Sequence, residues 1–382
     1  MEYLESLQLA FPDLAADINI IGEYFNQSLW HELTLKLLEF VKLPQLQVED
    51  TLFQLFEKFI NPIIKKLNAL SVAKLGIACC KTQKDAAKAR EFIKSVGDTV
   101  KASNEQAYIM CRAEDSILAL KSGATKEAHA ILLDCEEFVK KHEAEDIEPL
   151  VHATYYTCYA TYLKAMKEYD DYYTTALLTL VYSDLEKMAI DEQQSWAYDI
   201  SIAALLGEKV YNFGELLGNP VIKSLDNTSL QWVPELLRAY NKGDLIQYEK
   251  IAQQYGAQMG KVPELLEKAA FLKQKIQLMA LLNFLFNLTA SNTVVSFADV
   301  AKHTHTDMGA VEYLLMKALA LGVIKGIIDQ VAQTISVTWV QARVLDREEI
   351  KALAAKVAAW SDTVRHTLDL VNATSAELAH HQ

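Results

Sequence analysis

The sequence predicts an all-α solenoid of helical hairpins, tetratricopeptide-like in kind, followed by a winged-helix module and one long C-terminal helix. Three observations carry this. Apolar residues recur every three or four positions up to about residue 225, with short polar turns between the blocks. After residue 290 the pattern changes to short β-branched runs around two helices. The last stretch then carries a narrow apolar stripe at near-heptad spacing.

In the first region, "LWHELTLKLLEFVKL" places Leu29, Leu33, Leu37 and Val41 on one helical face. Pro12, Pro44 and Pro62 stand where helices should begin or end. Later helices come in pairs, "SGATKEAHAILLDCEEFVKKH" followed by "EPLVHATYYTCYATYLKAMKEY", then "DDYYTTALLTLVYSDL". The segments "TKEAHAILLD" (125–134) and "DDYYTTALLT" (170–179) share a polar start and an apolar block, about one hairpin pair apart. Such an irregular period marks stacked hairpins that cannot bury their apolar faces alone. Tyr155, Tyr156, Tyr159 and Tyr162, with Tyr169, Tyr172 and Tyr173, allow a ligand pocket or packing between helices; their helical spacing favours packing.

In the second region, "TVVSF" is a short strand and Ser296 an N-cap, with Asp299 three residues on, for a helix from Phe297 to about His303. Thr306 or Asp307 caps the next helix, whose buried face is Val311, Leu314, Leu315, Ala318 and Leu319. Gly322 stops it. "VIKGIID" and "TISVTWV" are two strands, and Ile335, Val337 and Trp339 alternate with Ser336 and Thr338 as one buried face. This order of elements is a winged helix. The final helix runs from Asp346 to about Leu378, with Ile350, Leu353, Val357, Trp360, Val364, Leu368 and Val371 on its stripe. So narrow a stripe calls for partner helices, although packing on the chain's own solenoid is the alternative.

Composition narrows the function classes. The chain has 382 residues, 51% of them hydrophobic and 23% charged, with only 13 Gly and 7 Pro, as a folded helical protein should. Fifty acids against 37 bases give a net charge of −13, the wrong balance for a general nucleic-acid binder. Cys79, Cys80, Cys111, Cys135 and Cys158 form no C-x-x-C pair, and buried thiols in a reducing compartment are expected. The N-terminus lacks a signal pattern, and the most apolar run (278–290) is short of the roughly 20 residues that span a bilayer. A soluble cytosolic or nuclear protein is expected, so the sequons at Asn26, Asn227, Asn287 and Asn372 have no consequence.

"KHTHTDMGAVEYLLMK" offers a metal reading, because H-x-H-P, seven residues and S-x-x-D supply two His and an Asp to zinc in proteasome-type metalloproteases. Here Thr306 replaces the proline, Leu314 the serine and Lys317 the aspartate, so the third ligand is missing. "WHELTL" has Leu35 where a second zinc-binding histidine would stand. No phosphate loop, nucleophile elbow or dinucleotide fingerprint occurs. No enzymatic activity, metal or cofactor is expected. The stretch is therefore a helix-turn-helix. Its second helix has no Arg, Asn or Gln, and residues 271–340 hold five lysines (273, 275, 302, 317, 325) against acids 299, 307, 312 and 329. Protein docking suits it better than DNA reading.

With the junction "LLRAYNKGDLIQYEKIAQQYG" and the stretches "FLKQKIQLMALLNFLF", "VEYLLMKALALGVIKGIIDQV" and "TWVQARVLD", the chain resembles the PCI family of proteasome lid, signalosome and translation-initiation scaffolds, most nearly a lid subunit. The resemblance implies a non-catalytic scaffold of the 26S regulatory particle lid, in cytoplasm and nucleus, serving ubiquitin-dependent degradation. It divides the chain into a solenoid at 1–225, a PCI domain at 226–341 with its winged helix from about 271, and a bundle helix at 342–382. Neighbouring PCI subunits, the deubiquitinase pair and a ubiquitin receptor are the implied partners, with no nucleic acid or membrane. The seven stripe residues would enter an intersubunit helical bundle. Ser336, Val337 and Thr338 would offer a strand edge, or a surface beside it, to a neighbouring winged helix. A signalosome or initiation-complex scaffold is the alternative assembly, and a winged-helix nucleic-acid binder the alternative class.

Overall fold

The computed structural model describes residues 2–41, 43–46, 51–83, 85–142, 147–185, 188–288, 293–344 and 347–380. Internal contacts divide the chain into two units, Met1–Met188 and Ala189–Gln382.

The first unit is a succession of helices: α1 (Glu2–Ala10), α2 (Ala15–Asn26), α3 (Trp30–Phe40), α4 (Thr51–Leu55), α5 (Ala69–Thr82), α6 (Ala86–Lys101), α7 (Glu105–Lys121), α8 (Thr125–Lys141), α9 (Pro149–Met166) and α10 (Tyr169–Tyr182). The sequence punctuates them locally. Pro12, Pro44 and Pro62 each fall in the first turn of a short 3₁₀ segment. Asn68, Asp85 and Asn104 cap α5, α6 and α7; Asn104 Oδ1, for example, accepts from Gln106 N at 2.8 Å and Ala107 N at 3.3 Å. Leu33, Leu37 and Val41 are buried as their spacing requires. Leu29 is more exposed, because it precedes the first turn of α3.

The two look-alike segments open α8 and α10, the second helices of the hairpins α7–α8 and α9–α10. Helix α7 packs on α6, α8 and α9, and α9 on α10, which is the stacking a solenoid needs. The tyrosines stack ring on ring along α9, Tyr155 on Tyr159 at 5.9 Å and Tyr159 on Tyr162 at 6.5 Å between centroids. Tyr172 and Tyr173 are buried in the core of α10. All five cysteines are buried here, and burial pushes the thiols of Cys79, Cys111 and Cys135 up to about 12.

The second unit begins with α11 (Ile190–Leu206), α12 (Phe213–Gly218), α13 (Trp232–Lys242), α14 (Leu245–Gln254), α15 (Gly256–Met259), α16 (Pro263–Glu267) and α17 (Ala269–Phe286). Two polar side chains on α13 and α17 fix how they pack. The Tyr240 hydroxyl, fully buried, donates to Leu272 O at 2.9 Å. Lys275, also fully buried, donates to Ala204 O (2.8 Å), Leu205 O (3.2 Å) and Gly207 O (2.5 Å), the carbonyls left over at the C-terminal end of α11. Its ammonium also lies 5.4 Å from the Tyr211 ring centroid and 5.3 Å from that of Phe213. Between α13 and α14, Gly243 takes a left-handed conformation (φ +61°). A Cβ there would stand 2.5 Å from the backbone N and Cα of Ala280 on α17. Only glycine meets both conditions.

The winged helix follows as β1 (Val294–Ser296), α18 (Phe297–Thr304), α19 (Met308–Ala320), β2 (Ile324–Asp329) and β3 (Thr334–Val340). Ser296 Oγ caps α18, accepting from Asp299 N at 3.1 Å and donating to Asp299 Oδ2 at 2.7 Å. Asp307 occupies the N-cap of α19 without a side-chain cap bond. Val311, Leu314, Leu315 and Ala318 are buried while Leu319 is half-buried, and Gly322 closes the helix at φ +71°.

Two expectations about the sheet are corrected. The strands run in the order β1-β3-β2, all antiparallel, so β3 is the middle strand and the edges belong to β1 and β2. Ser336, paired with Val294 and Ile327, and Val337, whose N donates to Thr293 O, therefore present no strand edge, while Thr338 lies past the end of β1 at the bulge opposite β2. Trp339 does not join the buried face of Ile335 and Val337. The register slips between Lys325 and Gly326, pairing Lys325 with Trp339 but Gly326 with Val337, and the extra residue Thr338 reverses the alternation. Trp339 is 43% exposed, with Lys325 Nζ 5.2 Å from its ring centroid.

The last element, α20, spans Arg347–His380. The expected helix start, Asp346, lies outside the described residues.

Candidate docking surfaces

The turn between α18 and α19 holds the two histidines of the metal reading. His303 stacks on Phe284 with ring centroids 4.1 Å apart, and His305 takes the left-handed position that closes α18 (φ +47°). Lys317, where a zinc ligand would be needed, donates to Gln274 Oε1 on α17. Among the described residues no group of three His, Cys, Asp or Glu side chains is arranged to hold a metal ion.

The outward face of α19 is apolar instead of basic: Met308, Tyr313 and Met316 are exposed on it. Of the five lysines in this region, Lys275 is interior, Lys317 is paired with Gln274 and Lys325 lies over Trp339. The counterion release that drives nucleic-acid binding has little to draw on here.

The sheet has two unlike faces. Val295, Ile324, Ile335 and Val337 are buried on the inner one. On the outer one, Val294 and Ile327 flank Ser336 in register, and Lys325 and Trp339 follow two pairs along. Val294 is 54% and Ile327 74% exposed, so the outer face is an apolar surface around half-buried Ser336 and exposed Thr338. This surface lies beside the β3 backbone, and among the described residues the outer edge of β2 that adjoins it pairs with no further strand.

Helix α20 is about 50 Å long at 1.5 Å per residue. Ile350, Leu353, Val357, Trp360, Val364, Leu368 and Val371 are each between 49% and 68% exposed. Among the described residues, the stripe read from the sequence is thus a largely exposed apolar seam along α20. Isolated surface leucines are common; seven large apolar side chains in one row are not.

Sequence reasoning passed over two residues that set up these surfaces. Lys275 reads as an ordinary helix-surface lysine, and only its three carbonyl partners reveal its place. Arg343 stands alone between Arg238 and Arg347, in the link from sheet to helix. An isolated arginine in so short a link was the available signal. Its Nη2 donates to Asn283 Oδ1 at 2.9 Å and its Nη1 to Asn241 O at 3.3 Å.

Comparison with known proteins agrees with this geometry over both regions. Residues 18–237 match the family model of PSD13 N-terminal repeats, and residues 250–339 match that of the PCI domain. The chain is 35% identical over 382 residues to 26S proteasome non-ATPase regulatory subunit 13 homolog A of Arabidopsis thaliana, covering 99% of this chain and 98% of the relative. It is 33% identical over 383 residues to 26S proteasome non-ATPase regulatory subunit 13 of Dictyostelium discoideum, covering 99% and 98%. With 26S proteasome regulatory subunit RPN9 of Saccharomyces cerevisiae it shares 30% over 371 residues, covering 93% and 92%.

Proposed function

The chain belongs to the family of 26S proteasome non-ATPase regulatory subunit 13, with its PSD13 repeats and PCI domain, and from this we infer that it is a non-catalytic scaffold subunit of the proteasome regulatory particle lid. The observation that carries the role is the open seam on α20. Burying a large apolar side chain is worth roughly 1.5–3 kcal/mol, so seven left in water constitute a strong drive to associate. Partner helices with complementary seams would cover it, as in an intersubunit bundle. The outer sheet face around Ser336 and Thr338, with Val337 packed beneath, and the adjoining β2 edge suit lateral docking to the winged helix of a neighbouring PCI subunit. Neighbouring lid subunits, the deubiquitinase pair and a ubiquitin receptor are the partners this reading names, in cytoplasm and nucleus. No helix among the described residues is long and apolar enough to cross a membrane.

The test replaces Val357 and Trp360 together by Asp. Both side chains are exposed in the single chain, so its melting temperature should change by no more than a few degrees. Entry into the large particle should be lost, because two unpaired carboxylates would be buried in an apolar bundle. Gradient sedimentation of the tagged double variant in cells reads the outcome. A variant that still sediments with the particle refutes the bundle role, and partners pulled down with the wild type distinguish the lid from a signalosome or an initiation complex.

A further inference from the structure

Residues Gln341–Val344 leave β3 and lead to α20, and they are held from several sides. Gln341 N donates to Val323 O at 2.9 Å. Arg343 reaches Asn241 O at the end of α13 and Asn283 Oδ1 on α17, with its guanidinium carbon 5.1 Å from the Phe286 ring centroid. Asn283 also donates from Nδ2 to Lys242 O at 2.7 Å, so one asparagine joins α13, α17 and the link. Val344 N donates to Asn212 Oδ1 at 3.3 Å. Gly214 on α12 leaves room for the passing chain: a Cβ there would stand 2.8 Å from Val344 Cβ and 2.9 Å from Val344 O.

Only residues 345 and 346 separate this anchored segment from Arg347, where α20 begins. Three Cα–Cα steps of 3.8 Å keep the root of α20 within about 11 Å of Val344.

We propose that Gln341–Val344 is a clip, with Arg343 as its positioning residue, that couples docking of α20 to docking of the winged helix. This rests on the scaffold reading above. Once one of the two surfaces has docked, a short anchored tether presents the other at high effective concentration. With the clip open, the chain between the last anchored residue and Arg347 grows from three Cα–Cα steps (344 to 347) to seven (340 to 347). Effective concentration falls roughly as the −3/2 power of length, about fourfold here, before any loss of orientation. The clip lies on neither docking surface, so it acts only through this coupling.

The experiment uses the full chain in four forms: wild type, Arg343→Ala, Asn283→Ala, and a variant with Gly-Ser-Gly-Ser inserted after Leu345. The insertion lengthens the tether without touching the clip, so it remains informative should a clip variant fold poorly. Hydrogen exchange at the Gln341 and Val344 amides reports the clip, and competition with untagged wild type for entry into the particle reports coupling. Arg343→Ala and Asn283→Ala should speed exchange at both amides and lower competitive entry about fourfold or more. The insertion should lower entry similarly while the amides stay protected. Equal entry of the insertion variant and wild type overturns the coupling. Unchanged exchange in Arg343→Ala overturns the role of Arg343. Failure of the wild type itself to enter a proteasomal particle instead overturns the scaffold reading on which the coupling depends.

Discussion

Gly243→Ala tests how the PCI hairpin is joined to the helix beneath it. Two costs arise at this position. A residue with a Cβ is about 1–2 kcal/mol worse than glycine in the left-handed region, where Gly243 stands at φ +61°. The new methyl would also meet the backbone N and Cα of Ala280 at 2.5 Å. Carbon contacts become favourable near 3.5 Å, so α13 and α17 must separate locally by roughly 1 Å. Overpacking of that kind costs about 1–3 kcal/mol. The separation strains the bonds from Tyr240 to Leu272 O, from Asn283 to Lys242 O and from Arg343 to Asn241 O, each worth about 1 kcal/mol. The total is about 5–8 kcal/mol. Gly322→Ala in the same unit is the control, because Gly322 stands at φ +71° with nothing within 4 Å of its would-be Cβ. It should lose only the conformational part, about 1–2 kcal/mol. For a unit of this size each kcal/mol moves the melting temperature by about 2–4 °C. Differential scanning calorimetry should therefore show a fall of roughly 2–8 °C for Gly322→Ala and roughly 10–32 °C for Gly243→Ala. Equal falls would refute the close approach of α13 to α17.

Two further predictions concern the repeat unit. Glu114 is buried, and desolvation holds its carboxyl pKa above the ordinary value, so folding loses stability as pH rises from the unfolded value of about 4.3 toward the higher folded one. Glu114→Gln should leave the melting temperature little changed at low pH and raise it at neutral pH; a variant less stable at neutral pH would contradict this. With the Cys79, Cys111 and Cys135 thiols near 12, only about one molecule in ten thousand carries the reactive thiolate at pH 8 at any one of them. A disulfide reagent should titrate none of the five cysteines within minutes in the native chain and all five in guanidinium, and a rapid native reaction of one equivalent would refute their burial.

Local chemistry made most of the fold legible. Ser296 with Asp299, and Gly322, marked the ends of α18 and α19 because caps act within one turn of chain. The stripe from Ile350 to Val371 was readable because helical period alone determines which residues share a face. Strand order was not readable, since nothing in "TISVTWV" says that β1 pairs on one side of it and β2 on the other. Trp339 was misplaced for a related reason: strict alternation assumes a regular ladder, and the slip opposite Gly326 breaks it. Of the candidate surfaces, the seam could be seen in advance, whereas the outer sheet face emerged only from the register. Lys275 and Arg343 have their partners more than forty residues away, beyond the reach of any local pattern.

The bonds of Lys275 also determine where the polypeptide can be divided. The two family matches leave a gap between residues 237 and 250, an inviting site for expressing a PCI fragment alone. Such a fragment would keep Lys275 and lose Ala204, Leu205 and Gly207, whose carbonyls hold its ammonium. With α11 and α12 gone the ammonium would return to water, and the apolar helix surface that now encloses it would be opened to solvent, a defect on the order of several kcal/mol. It would lose Phe213 as well, and with it one wall of the same pocket. A fragment beginning at Ala189 retains the whole arrangement and should express as a soluble, cooperative folding unit where one beginning at residue 238 aggregates. The homology boundary and the folding boundary thus lie some fifty residues apart, because one lysine on α17 completes a helix that belongs, by sequence, to the repeats.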